Sequence, residues 1–326
     1  MARQAPTDSP PDSLWRTQQV PCNLCGSRTF AEIYPSTLRG RRALQELCAC
    51  TSSAYGIREA IVRCTECGFV FQNPQPIPDD LIEAYELVVD TRYDQEREGR
   101  IHTFTRSLRE LEEYCGRGRL LDVGSHLGFF VEVADKAGWD AQGIEPSEWA
   151  AATARHRGLP VKQGSIDDLV PDASYDAVTL WDVIEHLADP MDAIARLNGM
   201  LKPGGVLALS TMDVDAHVAR LLGSRWPWYM QMHLFYFSRR TLRALVERSG
   251  FEVLEIRRHR RIVRIAYLVS KLDGRIGRFY EPLRRIVDAS GLGQVLVGVD
   301  LGDIVTLYAR KRGSSTTAPS TNGSHP

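Results

Sequence analysis

The chain has 326 residues, 43% of them hydrophobic, enough for a full α/β core with a smaller module beside it. Its 40 basic and 41 acidic residues leave a net charge of −1, which argues against an obligate nucleic-acid binder, whose phosphate contacts demand a basic surplus. No apolar run reaches membrane-spanning length, and Met1 to Ser13 is polar and proline-rich without a signal-peptide core; we therefore expect a cytoplasmic protein with no integral membrane segment.

Residues 1–20 are expected to be disordered. Cys22/Cys25 and Cys64/Cys67 then form two Cys-x-x-Cys pairs, each followed by glycine. Two such knuckles can surround one tetrahedral zinc, the glycine letting backbone N–H groups turn toward the thiolates. In a reducing compartment this reading is favoured over a disulfide. The gap between the pairs exceeds the usual ribbon spacing and holds Cys48 and Cys50, so free thiols, or one of these two replacing a ligand, stand as alternatives. Cys115 reads as a bystander. The zinc ribbon, 21–78, closes on Phe69-Val-Phe-Gln-Asn-Pro-Gln-Pro, whose prolines stop a strand. Residues 79–116 read as a helical connector with Leu81, Ile82, Tyr85, Leu108 and Leu111 facing the core.

The most informative stretch follows, Arg119 to Gly128. Leu120, Leu121 and Val123 read as a buried parallel strand, Gly124 and Gly128 permit a sharp turn, and Phe129 to Ala137 supply a helix whose exposed N–H groups face a ligand. A second strand, Asp140 to Ile144, ends on Glu145, placed to accept hydrogen bonds from both ribose hydroxyls of a nucleoside. Two glycines stand where a dinucleotide fingerprint needs three. The rhythm continues with helix 147–156, strands 160–163 and 175–180, helix 190–201, a tight turn Leu201 to Gly205 and strand 206–210. An aromatic excursion, 213–237, precedes helix 238–249, strand 251–257, an arginine-rich insertion, 258–302, and a last strand 304–310. The tail, 313–326, has nothing to bury and is expected to be disordered.

Asp122-Val-Gly-Ser-His-Leu-Gly128, Glu145, Gly164 to Asp168, Asp176 to His186 and Leu201-Lys-Pro-Gly-Gly205 occur in the order seen in class I S-adenosylmethionine-dependent methyltransferases, which residues 118–310 resemble. His126 stands where that family usually has its middle glycine, and Ser165 where it often has aspartate. With the cysteine pairs and the Trp-Pro-Trp…His-Leu-Phe-Tyr-Phe-Ser segment, the whole ordered chain resembles bacterial zinc-ribbon methyltransferases of polysaccharide, glycolipid and secondary-metabolite pathways. The resemblance implies a Rossmann-like, doubly wound, seven-stranded and mostly parallel sheet over 117–312 with an antiparallel edge. It also implies S-adenosylmethionine at Asp122, Gly124, Gly128, Glu145, Ser165, Ile166 and Trp181, and structural zinc on Cys22, Cys25, Cys64 and Cys67.

His186 at the sheet's carboxyl edge and His233 in the aromatic excursion compete for the role of acceptor-side base, with His233 set nearer the acceptor beside Trp226, Trp228 and Tyr236. Asp182 and Glu185 with His186 could instead hold a divalent ion, as in a ubiquinone-pathway O-methyltransferase that this loop resembles locally. Arg257, Arg258, Arg260, Arg261 and Arg264 suit a phosphate-bearing acceptor, with a solvated edge strand as the plainer reading. The leading expectation is a methyltransferase acting on a small molecule: a sugar, a glycolipid precursor or a secondary metabolite. An rRNA methyltransferase gripping RNA with its ribbon, and a non-catalytic interaction module, are the rivals.

Overall fold

The structure, a computed structural model, describes residues 16–38, 55–272 and 277–313. The expected disorder of 1–15 and 314–326, and Cys48 and Cys50, lie outside these residues.

Order begins inside the N-terminal segment expected to be disordered. Strand β1 (Thr17–Gln18) pairs later in the chain, and Arg16 bridges Asp80 at 2.6 Å, so long-range strand pairing and an ion pair outweigh the polar composition. The ribbon contributes β2 (Phe30–Tyr34), β3 (Ile61–Cys64), β4 (Val70–Gln72) and β5 (Gln75–Pro76), the last being the partner of β1. Helices α1 (Pro78–Glu86) and α2 (Arg97–Leu111) connect it to the main sheet. Leu81 and Ala84 of α1, and Leu108 and Leu111 of α2, are buried at the spacing that one helix face allows.

The main sheet is built from β6 (Arg119–Val123), helix α3 (Phe129–Lys136), β7 (Asp140–Glu145), α4 (Glu148–His156), β8 (Val161–Gln163) and β9 (Tyr175–Trp181). It continues through α5 (Pro190–Met200), β10 (Leu201–Met212), the short α6 (His217–Leu222), β11 (Phe235–Tyr236), α7 (Arg239–Arg248) and β12 (Phe251–Arg258). The insertion then folds as β13 (Arg261–Arg264), α8 (Ile265–Ser270), α9 (Tyr280–Ala289) and β14 (Leu296–Val299), a strand pair carrying two helices, before β15 (Ile304–Lys311).

Seven strands hydrogen-bond in the order β12-β15-β10-β9-β6-β7-β8, with β15 antiparallel to both of its neighbours. Nearly continuous burial of β6 and β9 reflects helices on both faces. Ser147 caps α4 by accepting from the Ala150 N–H, and Ser238 and Thr241 form a capping box on α7.

One expectation is corrected. Leu201 to Gly205 is not a tight turn: Leu201 pairs with Tyr175, the strand bulges, and Val206 resumes opposite Ala177, with Lys202 held to Asp176 at 2.7 Å. The ribbon's strands share their sheet with the aromatic excursion. Its four-stranded sheet runs β11-β4-β3-β2, so the aromatic excursion supplies an edge strand.

Candidate functional site

Beyond β6 the chain turns through Gly124, at φ 69°, where an added Cβ would lie 2.6 Å from Val183 Cγ2. His126 itself adopts φ 47°, and its backbone N–H donates to Glu145 Oε2 at 2.8 Å, tying the loop to the end of β7. Ser147 N–H donates to Oε1 at 3.0 Å. Burial pushes the Glu145 carboxyl up to about 7 despite these two donors. The His126 ring stacks on Tyr93 at 3.8 Å, and neither of its nitrogens has a partner. Burial, aided by the Arg100 charge, drops this imidazole to about 3, so it is neutral.

Gly124, His126 and Glu145 border a cavity of about 460 Å³ at the carboxyl edge of the sheet, where doubly wound folds bind ligands. Ser165, Ile166 and Trp181 also line it. Asp122 and Gly128 do not. Asp122 lies behind the loop, where its Oδ1 accepts from Thr179 Oγ1 at 2.7 Å and burial pushes it up to about 8. A Cβ on Gly128, at φ 74°, would meet Leu159 Cδ1 at 2.8 Å, so close packing and a left-handed turn account for this glycine. Arg100 of α2 is a lining residue that the connector reading passed over, because a single arginine in a helical pattern carries no local signal.

On the other side of the cavity the segment after β9 meets the excursion. Asp182 takes φ 56° and receives the Arg261 guanidinium and the Ser210 hydroxyl. Burial pushes its carboxyl up, but Arg261, His259 and that hydroxyl prevail and hold it below the ordinary range. Glu185 is fully buried; its Oε2 accepts from Thr211 Oγ1 at 2.9 Å, while Oε1 has no partner. Burial and the Asp182 charge raise it to about 8, leaving it protonated near neutrality.

His186 Nδ1 lies 2.9 Å from the Met232 carbonyl and 2.9 Å from the Tyr85 hydroxyl, and His233 Nδ1 lies 2.8 Å from the Trp228 carbonyl. A carbonyl only accepts, so both protons are assigned to Nδ1 and both Nε2 atoms carry a lone pair. Burial lowers His186 to about 4, and burial with the neighbouring His186 takes His233 well below its ordinary value. Glu185, His186 and His233 each offer an atom within 4.8 Å of the others.

His233 and Trp228 line the cavity, whereas Trp226 and Tyr236 are buried behind it. Trp226 and Trp228 both donate to Asp303 Oδ2 at 3.0 Å, but only Trp228 reaches the wall. The arginine run is largely taken up by carboxylates: Arg257 by Glu113 and Glu255, Arg261 by Asp182, and Arg264 by Glu98. These pairings commit three of the five arginines. In the ribbon, Cys22 and Cys67 lie 3.5 Å apart, as do Cys25 and Cys64, and all four Sγ atoms fall within 4.8 Å of one another.

A parallel sheet whose first strand empties into a glycine loop bonded to an acidic residue at the end of the second describes a nucleoside-type pocket. Residues 91–256, more than half of the chain, match the methyltransferase domain family. The chain belongs to this methyltransferase family. Among curated proteins the methyltransferase is similar to the ubiquinone biosynthesis O-methyltransferase of Actinobacillus pleuropneumoniae, 31% identical over 122 residues that cover 33% of this chain and 52% of that protein. It is similar also to the enzyme of that name from Methylococcus capsulatus, 33% identical over 118 residues covering 33% and 50%. The chain spans about half the length of the curated relatives it matches. A SAM-dependent methyltransferase of Archaeoglobus fulgidus aligns over 68% of this chain and all of its own, at 19% identity and TM-score 0.47. Residues 91–256 thus form a methyltransferase domain on a Rossmann-like sheet.

Proposed function

We propose that the enzyme methylates a small molecule, in the class of sugars, glycolipid precursors and secondary metabolites, with His233 as acceptor-side base and His186 beside it. One observation carries this reading: two imidazoles, each with its Nδ1 on a backbone carbonyl, stand with a neutral carboxyl at the cavity wall, each of the three offering an atom within 4.8 Å of the others. Such a group can take a proton from a poorly acidic hydroxyl or carbon, and the neutral His186 imidazole beside it can receive that proton in turn. The O-methyltransferase names of the relatives support an oxygen acceptor. The chain's near-neutral charge and the ribbon edge closed by β11 speak against RNA as acceptor.

The cofactor supplies an electrophilic sulfonium methyl, so the protein's main task is alignment. Glu145 faces the cavity as an acceptor for ribose hydroxyls, Gly124 admits a close backbone approach, and the unpartnered nitrogens of buried His126 mark a polar place for the ligand. Ser165, Ile166 and Trp181 line the same cavity. Asp122 would act from behind, through the loop. Zinc fits the four thiols: a Zn–S length of about 2.3 Å in a tetrahedron sets sulfurs about 3.8 Å apart. Among the described residues, Cys22, Cys25, Cys64 and Cys67 lie together at a spacing compatible with it.

The spacing of Glu185, His186 and His233 also admits a divalent cation, but Asp182 is committed to Arg261 and Ser210. The deciding test is His233→Ala, assayed as transfer of labelled methyl into a small-molecule extract. The base reading requires a fall of about 10²-fold or more with unchanged cofactor affinity and thermal midpoint. Full transfer by the variant refutes the base assignment, and transfer that depends on added magnesium replaces it with the cation reading.

A further inference from the structure

The Phe69-Val-Phe-Gln-Asn-Pro-Gln-Pro motif starts at the cysteine cluster, where the Phe69 carbonyl accepts from the Cys64 N–H at 2.9 Å, and it carries a side chain that reaches the acceptor side. Gln72, at the end of β4, is fully buried, and its Nε2 lies 2.5 Å from the His233 carbonyl, 3.0 Å from that of Met230 and 3.1 Å from that of Gln231. Its Oε1 accepts from the Glu59 N–H at 3.0 Å. The flipped amide would set an oxygen against three carbonyls, so the network assigns this orientation.

The loop is thus gripped from two sides. The carbonyls of Met230, Gln231 and His233 converge on Gln72, while that of Met232 points away to His186 Nδ1. The next residue completes the clamp: Gln72 N–H donates to the Leu234 carbonyl at 2.8 Å, and Leu234 N–H donates to the Glu185 carbonyl at 2.8 Å. A chain of hydrogen bonds therefore runs from the ribbon hairpin through the loop to the segment that bears Glu185 and His186.

We infer that Gln72 is a positioning residue: its side-chain amide sets the loop 230–233 and thereby the place of the His233 imidazole in the cavity. This rests on the reading of His233 as the base only for its effect on turnover; the effect on the imidazole itself is independent of that reading. Small displacements matter at such a place, since about 1 Å of misplacement can cost about 10²-fold in rate.

The test pairs Gln72→Met, which keeps shape and removes both donors, with Gln72→Asn, which keeps the donors but withdraws them by one methylene. Imidazole NMR titration, with His233→Ala identifying the resonance, reads the site directly. The groups facing His233 are His186, Glu185, Asp182 and Arg261, so a loop that swings away exchanges them for water. In the wild type the His233 signal should stay unprotonated far below pH 6.5. In Gln72→Met it should titrate near the ordinary value of about 6.5, with Gln72→Asn between them. S-adenosylmethionine affinity by calorimetry should be unchanged, while labelled-methyl transfer into a small-molecule extract falls about tenfold or more.

A His233 titration unmoved in the folded Gln72 variants overturns the inference. If the titration moves as stated while His233→Ala keeps full transfer, Gln72 still positions the loop and the base assignment fails instead. If Gln72→Met does not fold, Gln72→Asn decides alone, and a wild-type titration curve there contradicts the proposal.

Discussion

The rings of His186 and His233 stand 4.8 Å apart, inclined at 66°, each with its Nδ1 on a backbone carbonyl. Neither is protonated at neutrality. Because a base must be bare to act, the acidic limb of methyl transfer should lie well below pH 6.5. The same depressed values give the fold a pH-dependent contribution to stability, because an imidazole buried neutral resists protonation. That contribution is complete above the unfolded imidazole value of about 6.5 and is lost as pH falls from there through the folded values, about 4 for His186. A transfer profile with its acidic midpoint at 6.5 would show that these imidazoles are solvated.

Glu145 leads to the opposite slope on the cofactor side. Its carboxyl, raised by burial to about 7, is the ribose acceptor in our reading, and its charged form binds best. Affinity for S-adenosylmethionine, followed by calorimetry, should therefore weaken as pH falls through about 7. Glu145→Gln should weaken binding by roughly 1 to 3 kcal/mol at pH 8 and flatten the pH dependence. An unaltered slope in the variant would assign the titration to another group.

Much of this site could be read from residue order alone. Leu120 to Gly124 and Glu145 were legible because a strand buried on both faces and a glycine at a left-handed turn leave local traces in composition. The approach of the two cysteine pairs to one another was legible because paired Cys-x-x-Cys spacing is itself a local pattern. β11 was not, since two residues, Phe235 and Tyr236, carry no period, and their pairing with Val70 and Phe71 is non-local. Trp226 and Trp228 sit in one short segment and share Asp303, yet one is core and the other wall, a difference set by packing. Gln72 gave no signal because its partners are carbonyls far along the chain, which any residues could supply.

The cysteine cluster should bind one zinc per chain. Metal analysis of Cys22→Ser combined with Cys64→Ser should find it missing, and the thermal midpoint should fall, because closed sites of this kind contribute folding energy. Zinc content equal to that of the wild type would rule out this ligand set.

Gly124 should tolerate no side chain. Alanine there would need both the left-handed backbone at φ 69° and 2.6 Å from Val183 Cγ2, so Gly124→Ala should lower stability by roughly 1 kcal/mol or more and weaken cofactor binding. Denaturant unfolding and calorimetry check both effects, and a variant with wild-type values for each would show that the loop can shift freely.

The most direct test of the account follows the methyl group. Wild-type protein and His233→Ala are each incubated with labelled S-adenosylmethionine and, separately, host small-molecule and RNA extracts. The account predicts label in the small-molecule fraction with the wild type, and a loss of about 10²-fold or more with the variant. Label entering RNA, or entering small molecules equally well without the His233 imidazole, would contradict it.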